Sequence, residues 1–234
     1  MNTADCWVDI PAGSPFPLHN LPFGLGRRPD GSVGAFVAIG DLAVDLGAAR
    51  THFGGTAAFD DLVDDRGTLT RFAGLGYEAH RAVRTRVREL LCDHTMEPVV
   101  SPALRPIDEL EMLVPVEVGD YVDFYSSLHH ATNLGRMFRP DGEPLLPNWR
   151  HVPVGYHGRS GTIVADRAGI TRPQGLRIVD GRPMLGPTDA LDIELEVGFV
   201  VGAASQPARP VGTADAEAHL FGVCRVNDWS ARDI

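Results

Sequence analysis

LDIELEVGFVV, residues 191–201, is the stretch whose reading decides the fold class. It alternates without a break, with Leu191, Ile193, Leu195, Val197 and Phe199 on one face and Asp192, Glu194 and Glu196 on the other. A period of two belongs to a β-strand, whose successive side chains point to opposite faces. The expectation is a strand with its apolar face on a core and its acidic face turned away. Carboxylates two residues apart are separated by roughly 6.5–7 Å along a strand. They repel unless solvated, protonated or bound to a cation. Two readings stay open here. One is a half-exposed strand whose wet face is acidic. The other is a hard-cation site, because carboxylate oxygens without histidine or cysteine suit Mg²⁺ or Ca²⁺ better than zinc.

Moving outward, two further acids could complete such a site. Asp123 lies in DYVDFYSS (residues 120–127) and Asp228 in VNDWSARD (residues 226–233), each at or near the end of a strand-like run. Either one alone reads as a turn residue. The segment YSSLHHATNLGRMFRP, residues 125–140, holds His129, His130, Arg136 and Arg139. Read as extended chain, it lets at most one of the two histidines face a given pocket. A histidine beside a metal is a natural general base at neutral pH; the alternative is a histidine satisfied by backbone groups. PNWRHVPVGYHGRSG, residues 147–161, is loop-like and offers Tyr156, His157 and Arg159 either as donors to an anion or as surface-loop anchors.

Nearer the N-terminus, residues 15–34 are rich in Pro and Gly and read as loop. AFVAIGDLAVDL, residues 35–46, follows as two short apolar runs about Gly40 and Asp41, a tight hairpin. Residues 77–92 read as a helix, with Ala79, Val83, Val87, Leu90 and Leu91 toward a core and Arg81, Arg84 and Arg88 on a solvated face. The character changes near Pro115, where LVPVEVGDYVDFY becomes strand-like and acidic, so a domain boundary is placed there. At the far end, a strand pattern runs into a helix start in which Ser230 and Asp233 resemble a capping box. The simplest explanation of a helix starting at the last residues is truncation within a domain.

Composition narrows the function classes. The 234 residues are 44% hydrophobic and 22% charged, enough for a sizeable core. A net charge of −10 disfavours nucleic acid as a partner. No lysine is present, which excludes Schiff-base chemistry from this chain's own residues. Cys6, Cys92 and Cys224 form no CxxC spacing and read as reduced thiols. The N-terminus has no basic n-region and no apolar run spans a bilayer, so a soluble, cytoplasmic protein is expected, with no membrane partner.

Four blocks, DYVDFYSSLHHATNLGRMFRP, LPNWRHVPVGYHGRSGTIV, LDIELEVGFVVG and NDWSARDI, closely resemble successive blocks of the fumarylacetoacetase family, in the family's order. The early segments FPLHNLPFG and VAIGDLAVDL resemble its N-terminal domain. The resemblance implies a mainly β fold with some α: a small N-terminal β-barrel domain (residues 1–115), then a truncated, mixed β-rich catalytic domain (116–234). It implies metal-dependent hydrolysis of the C–C bond of 4-fumarylacetoacetate, a β-diketo acid, to fumarate and acetoacetate, the last step of tyrosine breakdown. The expected cofactor is Ca²⁺ or Mg²⁺, and the expected assembly a homodimer. Carried over by position, Asp123, Glu194, Glu196 and Asp228 are the expected metal ligands. His130 rather than His129 is the catalytic base, and Arg232 stabilises developing negative charge. Tyr125, Arg139 and Tyr156 bind substrate, while Asp192 matches no family ligand and is left as a structural acid. The family site also uses an acid that orients the histidine and lysine and glutamine donors beyond the NDWSARD block; this chain contains none of them and is expected to be inactive alone. Alternatives are another keto-acid hydrolase, hydratase or decarboxylase of the same superfamily, or a non-catalytic metal-binding fragment.

Overall fold

A computed structural model describes residues 6–53, 59, 62–165 and 169–234. In chain order its elements are β1 (Phe23–Arg27), β2 (Val33–Ile39), β3 (Leu42–Asp45), α1 (Thr70–Gly74), α2 (Tyr77–Cys92), α3 (Glu97–Val100), β4 (Leu104–Pro106), β5 (Glu111–Leu113), β6 (Val122–Phe124), α4 (Leu128–Phe138), β7 (Gly155–His157), β8 (Gln174–Val179), β9 (Arg182–Pro187), β10 (Leu191–Val201) and β11 (Leu220–Ala231), with short 3-10 turns between several of them. The chain divides into two units, Met1–Val116 with Ala165–Ile234, and Glu117–Val164.

The first unit is built on an antiparallel sheet of order β4-β3-β2-β1-β5. Among the described residues its pairings run from edge to edge. The Gly40–Asp41 turn joins β2 to β3 with Ile39 opposite Leu42, as the two apolar runs predict. Gly40 has φ +59, and a Cβ there would meet the Asp9 carbonyl at 3.0 Å, so glycine satisfies both backbone and space. Residues 23–27, read as loop from their glycines, instead form β1. They pair with β2 on one side and β5 on the other. Gly24 and Gly26 leave room for Met112 and for the Phe36 ring, which would lie 2.9 and 3.2 Å from a Cβ. Ladder bonds on both sides offset the entropy cost of two glycines in a strand.

The alternation of β2 sends Ala35, Val37 and Ile39 into the main core and Phe36 into a smaller cluster with Ala43 and Leu110. Helix α2 spans the predicted 77–92 and lays Val83, Val87, Leu90 and Leu91 on the main core. Each such side chain contributes about 1.5–3 kcal/mol by burial. Ala79 is only half-buried, and His80 is buried instead. The His80 ring makes a 2.9 Å hydrogen bond with the Phe72 carbonyl and stands edge-on to Phe72 and Phe221. Phe221, at the start of β11, thereby ties the C-terminal strand pair to α1 and α2.

β8 pairs with β9, and β10 with β11, both antiparallel. The expected helix start at Ser230 is not formed. β11 continues to Ala231 with Ser230 opposite Asp192, and the chain then turns. A ladder of eleven register pairs outweighs a local capping signal. The faces of β10 are also inverted relative to expectation. Leu195 is 74% and Phe199 61% exposed, whereas Glu194 and Glu196 are half-buried.

The strand-like reading across Pro115 resolves into β5, in the first unit, and β6, in the second, with irregular chain between them. β6 pairs with β7. Residues 128–138, read as extended, form helix α4, capped by the Ser127 hydroxyl, which accepts from the His130 amide.

Candidate metal and substrate site

The paired strands β10 and β11 place the acids of the first unit. Glu194 stands directly opposite Asp228, and Glu196 is two residues further along the same face. Carboxylate oxygens of Glu196 and Asp228 lie within 4.8 Å of one another, and Asp228 is only 9% exposed. Like charges placed opposite each other across a strand pair are destabilising. Here they are held on the more enclosed face. The donor set is all oxygen, without histidine or cysteine, as hard cations prefer. Two oxygens bound to one Ca²⁺ at about 2.3–2.6 Å stand at most about 5 Å apart. The Glu196–Asp228 spacing fits that requirement.

Arg232 follows β11 immediately. Its Nε and Nη2 each lie 3.0 Å from Asp192 Oδ2, and Nη2 lies 2.9 Å from Glu194 Oε2. The Arg232 bond to Asp192 holds that carboxyl below its ordinary range. Desolvation pulls the Arg232 guanidinium down, but hydrogen bonds to Glu194 and Asp192 outweigh it and raise the group above its usual value. Next along the chain, Asp233 accepts from the Thr188 hydroxyl and from the Asp189 amide at 2.9 Å. The Thr188 bond foremost lowers its carboxyl to about 2.

The second unit holds the other expected residues. Asp123 and Tyr156 are register partners across β6 and β7, and the Tyr156 hydroxyl donates to Asp123 Oδ2 at 2.6 Å. The Tyr125 ring lies 6.2 Å from His130 in the first turn of α4, edge-on, and 6.2 Å from Trp149. Both His129 and His130 are exposed. Adjacent residues on a helix diverge by about 100°, so the two still present to different directions. Arg139 closes α4 and donates from Nε to the Glu143 carbonyl at 3.3 Å and from Nη2 to the Pro144 carbonyl at 2.7 Å. A cavity of about 480 Å³ in this unit is lined by His129, Asn133, Arg136, Glu143 and Arg150 among others, and by none of the expected site residues.

The first unit thus brings Glu194, Glu196, Asp228 and Arg232 together, and the second gathers Asp123 with Tyr156 and Tyr125 with His130. Two residues named in the sequence reading were given no part in the site. Asp192 shares the face of Glu194 by its spacing of two, a signal that was present but assigned no role. Asp233 was read as half of a capping box, and its bonds to residues 188–190 are long-range contacts with no local signature.

The comparisons with known proteins agree with these blocks. Residues 19–115 match the family model described as fumarylacetoacetase N-terminal, and residues 121–234 that described as fumarylacetoacetate hydrolase C-terminal. The chain is 41% identical to the fumarylacetoacetase of Oryza sativa subsp. japonica, over 97% of this chain and 56% of that protein. It is 38% identical to that of Emericella nidulans and 39% to that of Homo sapiens, each over 97% of this chain and 57% of the relative. The chain therefore spans little more than half the length of these relatives. No helix of the described residues is long and apolar enough to cross a membrane. With two successive family models matched across nearly its whole length, the chain belongs to the fumarylacetoacetate hydrolase family.

Proposed function

We propose that this chain carries the larger part of the site of a fumarylacetoacetase, which hydrolyses the C–C bond of 4-fumarylacetoacetate to give fumarate and acetoacetate in tyrosine catabolism. The observation that carries the reading is the face shared by β10 and β11. It holds four carboxylates, Asp192, Glu194, Glu196 and Asp228, of which Arg232 meets two. Four carboxylates gathered on one strand face, an all-oxygen donor set, suit a divalent cation, Ca²⁺ or Mg²⁺. Glu194, Glu196 and Asp228 would hold it, with Asp123 as a further ligand on the strength of the family resemblance. When bound, the cation supplies Lewis-acid polarisation of the substrate's carbonyl oxygens.

The chain's own residues supply the rest. His130 takes a proton from the attacking water. Arg232 donates to the negative charge that develops on the attacked carbonyl. Arg139, with Tyr125 and Tyr156, holds a substrate carboxylate by charge-assisted hydrogen bonds. For Arg139 this requires exchanging its bonds to the Glu143 and Pro144 carbonyls for the substrate. We take residues 1–115 and 116–234 as the N-terminal barrel-type domain and the start of the catalytic domain. The working assembly in this reading is a cytoplasmic homodimer.

The test is fumarylacetoacetate turnover with Mg²⁺ or Ca²⁺, and with a chelator as control, by this chain beside a version extended to the length of its relatives. Cation-dependent release of fumarate and acetoacetate by the extended form, and none by the 234-residue chain, is expected. A folded, cation-bound extended form that turns over oxaloacetate but not fumarylacetoacetate would assign a different reaction of the superfamily; one inert toward both would leave only a binding role.

A further inference from the structure

Asp192 is the one acid on the β10 face to which neither the resemblance nor the proposed chemistry gives a task. Its position is nonetheless tied to named partners. It sits opposite Ser230 in the ladder, two residues before Glu194. It receives both Nε and Nη2 of Arg232 at 3.0 Å. The backbone that carries Arg232 is pinned on both sides of the guanidinium's root. The Arg232 amide donates to the Ala190 carbonyl at 2.9 Å, and the next residue, Asp233, is bonded to Thr188 and Asp189. With the root fixed, the place of the guanidinium is set by the carboxylates that take its nitrogens. Its Nε–Nη2 edge lies on Asp192, so Glu194 is met by Nη2 at 2.9 Å and not by the full fork. Among the described residues Nη1 has no partner, so its hydrogens remain to be donated.

We propose that Asp192 is the positioning residue of Arg232: it takes the fork edge of the guanidinium, keeps it from closing bidentate on Glu194, and so leaves Glu194 able to hold a cation and Nη1 able to donate to substrate. This rests on the reading of Glu194 as a cation ligand and Arg232 as the donor to developing charge. Without Asp192 the guanidinium has one carboxylate left to fork onto, and Glu194 is neutralised by it.

Two measurements on this chain test the idea and separate it from the reading beneath it. The first is the Arg232 Nε–H signal in a ¹⁵N spectrum without added cation, identified by its loss in Arg232→Met. It is expected to exchange slowly in the parent and to lose that protection in Asp192→Asn but not in Glu196→Gln. The second is calorimetric titration with Ca²⁺ and with Mg²⁺ in a double-mutant cycle. Asp192→Asn is expected to weaken binding about tenfold when Arg232 is present, but at most about twofold in the Arg232→Met background, where only the loss of an exposed, screened charge remains. Equal weakening in both backgrounds would mean that Asp192 acts as a bare charge and would overturn the proposal, as would an Nε–H signal indifferent to Asp192→Asn. A parent chain that binds neither cation, yet loses Nε–H protection in Asp192→Asn, would overturn the cation reading while the Asp192–Arg232 clamp stands.

Discussion

Tyr156 gives its hydroxyl hydrogen to Asp123 Oδ2 at 2.6 Å, across a strand pair in which the two are register partners. A residue expected to bind substrate is thus already engaged in orienting a residue expected to bind metal. Partners of this kind fix a ligand's direction, and their loss typically costs about 10-fold or more in metal affinity. Tyr156→Phe is therefore expected to weaken Ca²⁺ or Mg²⁺ binding about tenfold as well as raise the KM of the extended enzyme. Calorimetric titration checks the first effect. Unchanged cation affinity beside a raised KM would confine Tyr156 to the substrate.

The turn after β3 is held by an ion pair. Arg28 Nε lies 2.7 Å from Asp45 Oδ2 and Nη2 lies 2.9 Å from Oδ1, while the Ala48 amide donates to Oδ1 at 3.1 Å. Asp45 is 2% exposed. Removing one partner of a buried pair leaves an uncompensated charge and costs about 3–5 kcal/mol. Arg28 keeps some solvent contact, so Arg28→Met is expected to lose about 3 kcal/mol in urea unfolding. A loss under about 1 kcal/mol would show that water reaches Asp45 well enough to replace the guanidinium.

Local pattern made part of this architecture legible. Val83, Val87, Leu90 and Leu91 recur at helical spacing, and α2 has the predicted ends because its periodicity and its core contacts agree. The Gly40–Asp41 turn was legible because glycine takes its positive φ without strain. β10 was legible as a strand, but not its orientation. Alternation names two faces without saying which is enclosed, and here the acids are less exposed than Leu195 and Phe199. Helix α4 was missed because the paired histidines were read as extended chain, while its start depends on one Ser127 cap. The continuation of the C-terminal strand through Ser230 was missed because Ser230 and Asp233 carry a helix signal that pairing with distant Asp192 and Thr188 overrides. In the site, the resemblance named the expected ligands, but the union of Arg232 with Asp192 and Glu194 is a contact across some forty residues that no window of sequence contains.

His80 makes a sharper test of packing in the first unit. Its ring bonds the Phe72 carbonyl at 2.9 Å and stands between the edges of Phe72 and Phe221. His80→Leu keeps the apolar volume but removes one of two donors to that carbonyl, which still accepts from the Leu75 amide at 3.1 Å, so the expected loss is the net worth of one hydrogen bond, about 0.5–1.5 kcal/mol. His80→Gln retains a donor and is expected to recover part of the loss. Chemical denaturation of the three proteins decides it. Equal stability of the leucine and parent proteins would mean that the Leu75 amide alone satisfies the carbonyl.

Acid stability should report the C-terminal clamp. The Asp233 carboxylate accepts from the Thr188 hydroxyl foremost, then from the Asp189 and Ala190 amides, and these bonds lower it from 3.8 to about 2. A group whose folded value is depressed contributes stability that is fully present above its unfolded value. That contribution is lost as the pH falls through the folded value. Here the window runs from about pH 4 down to about pH 2. Asp233→Asn is expected to lower the melting temperature at neutral pH and to flatten its fall between pH 4 and 2 relative to the parent. Thr188→Val removes the hydroxyl donor and is expected to move the parent's acid limb toward higher pH. Melting curves collected across pH 2–6 for the three proteins would show this. Parallel acid limbs for parent and Asp233→Asn would mean that other carboxylates govern the acid limb and that the bonds from Thr188 to Asp233 add nothing to folding there.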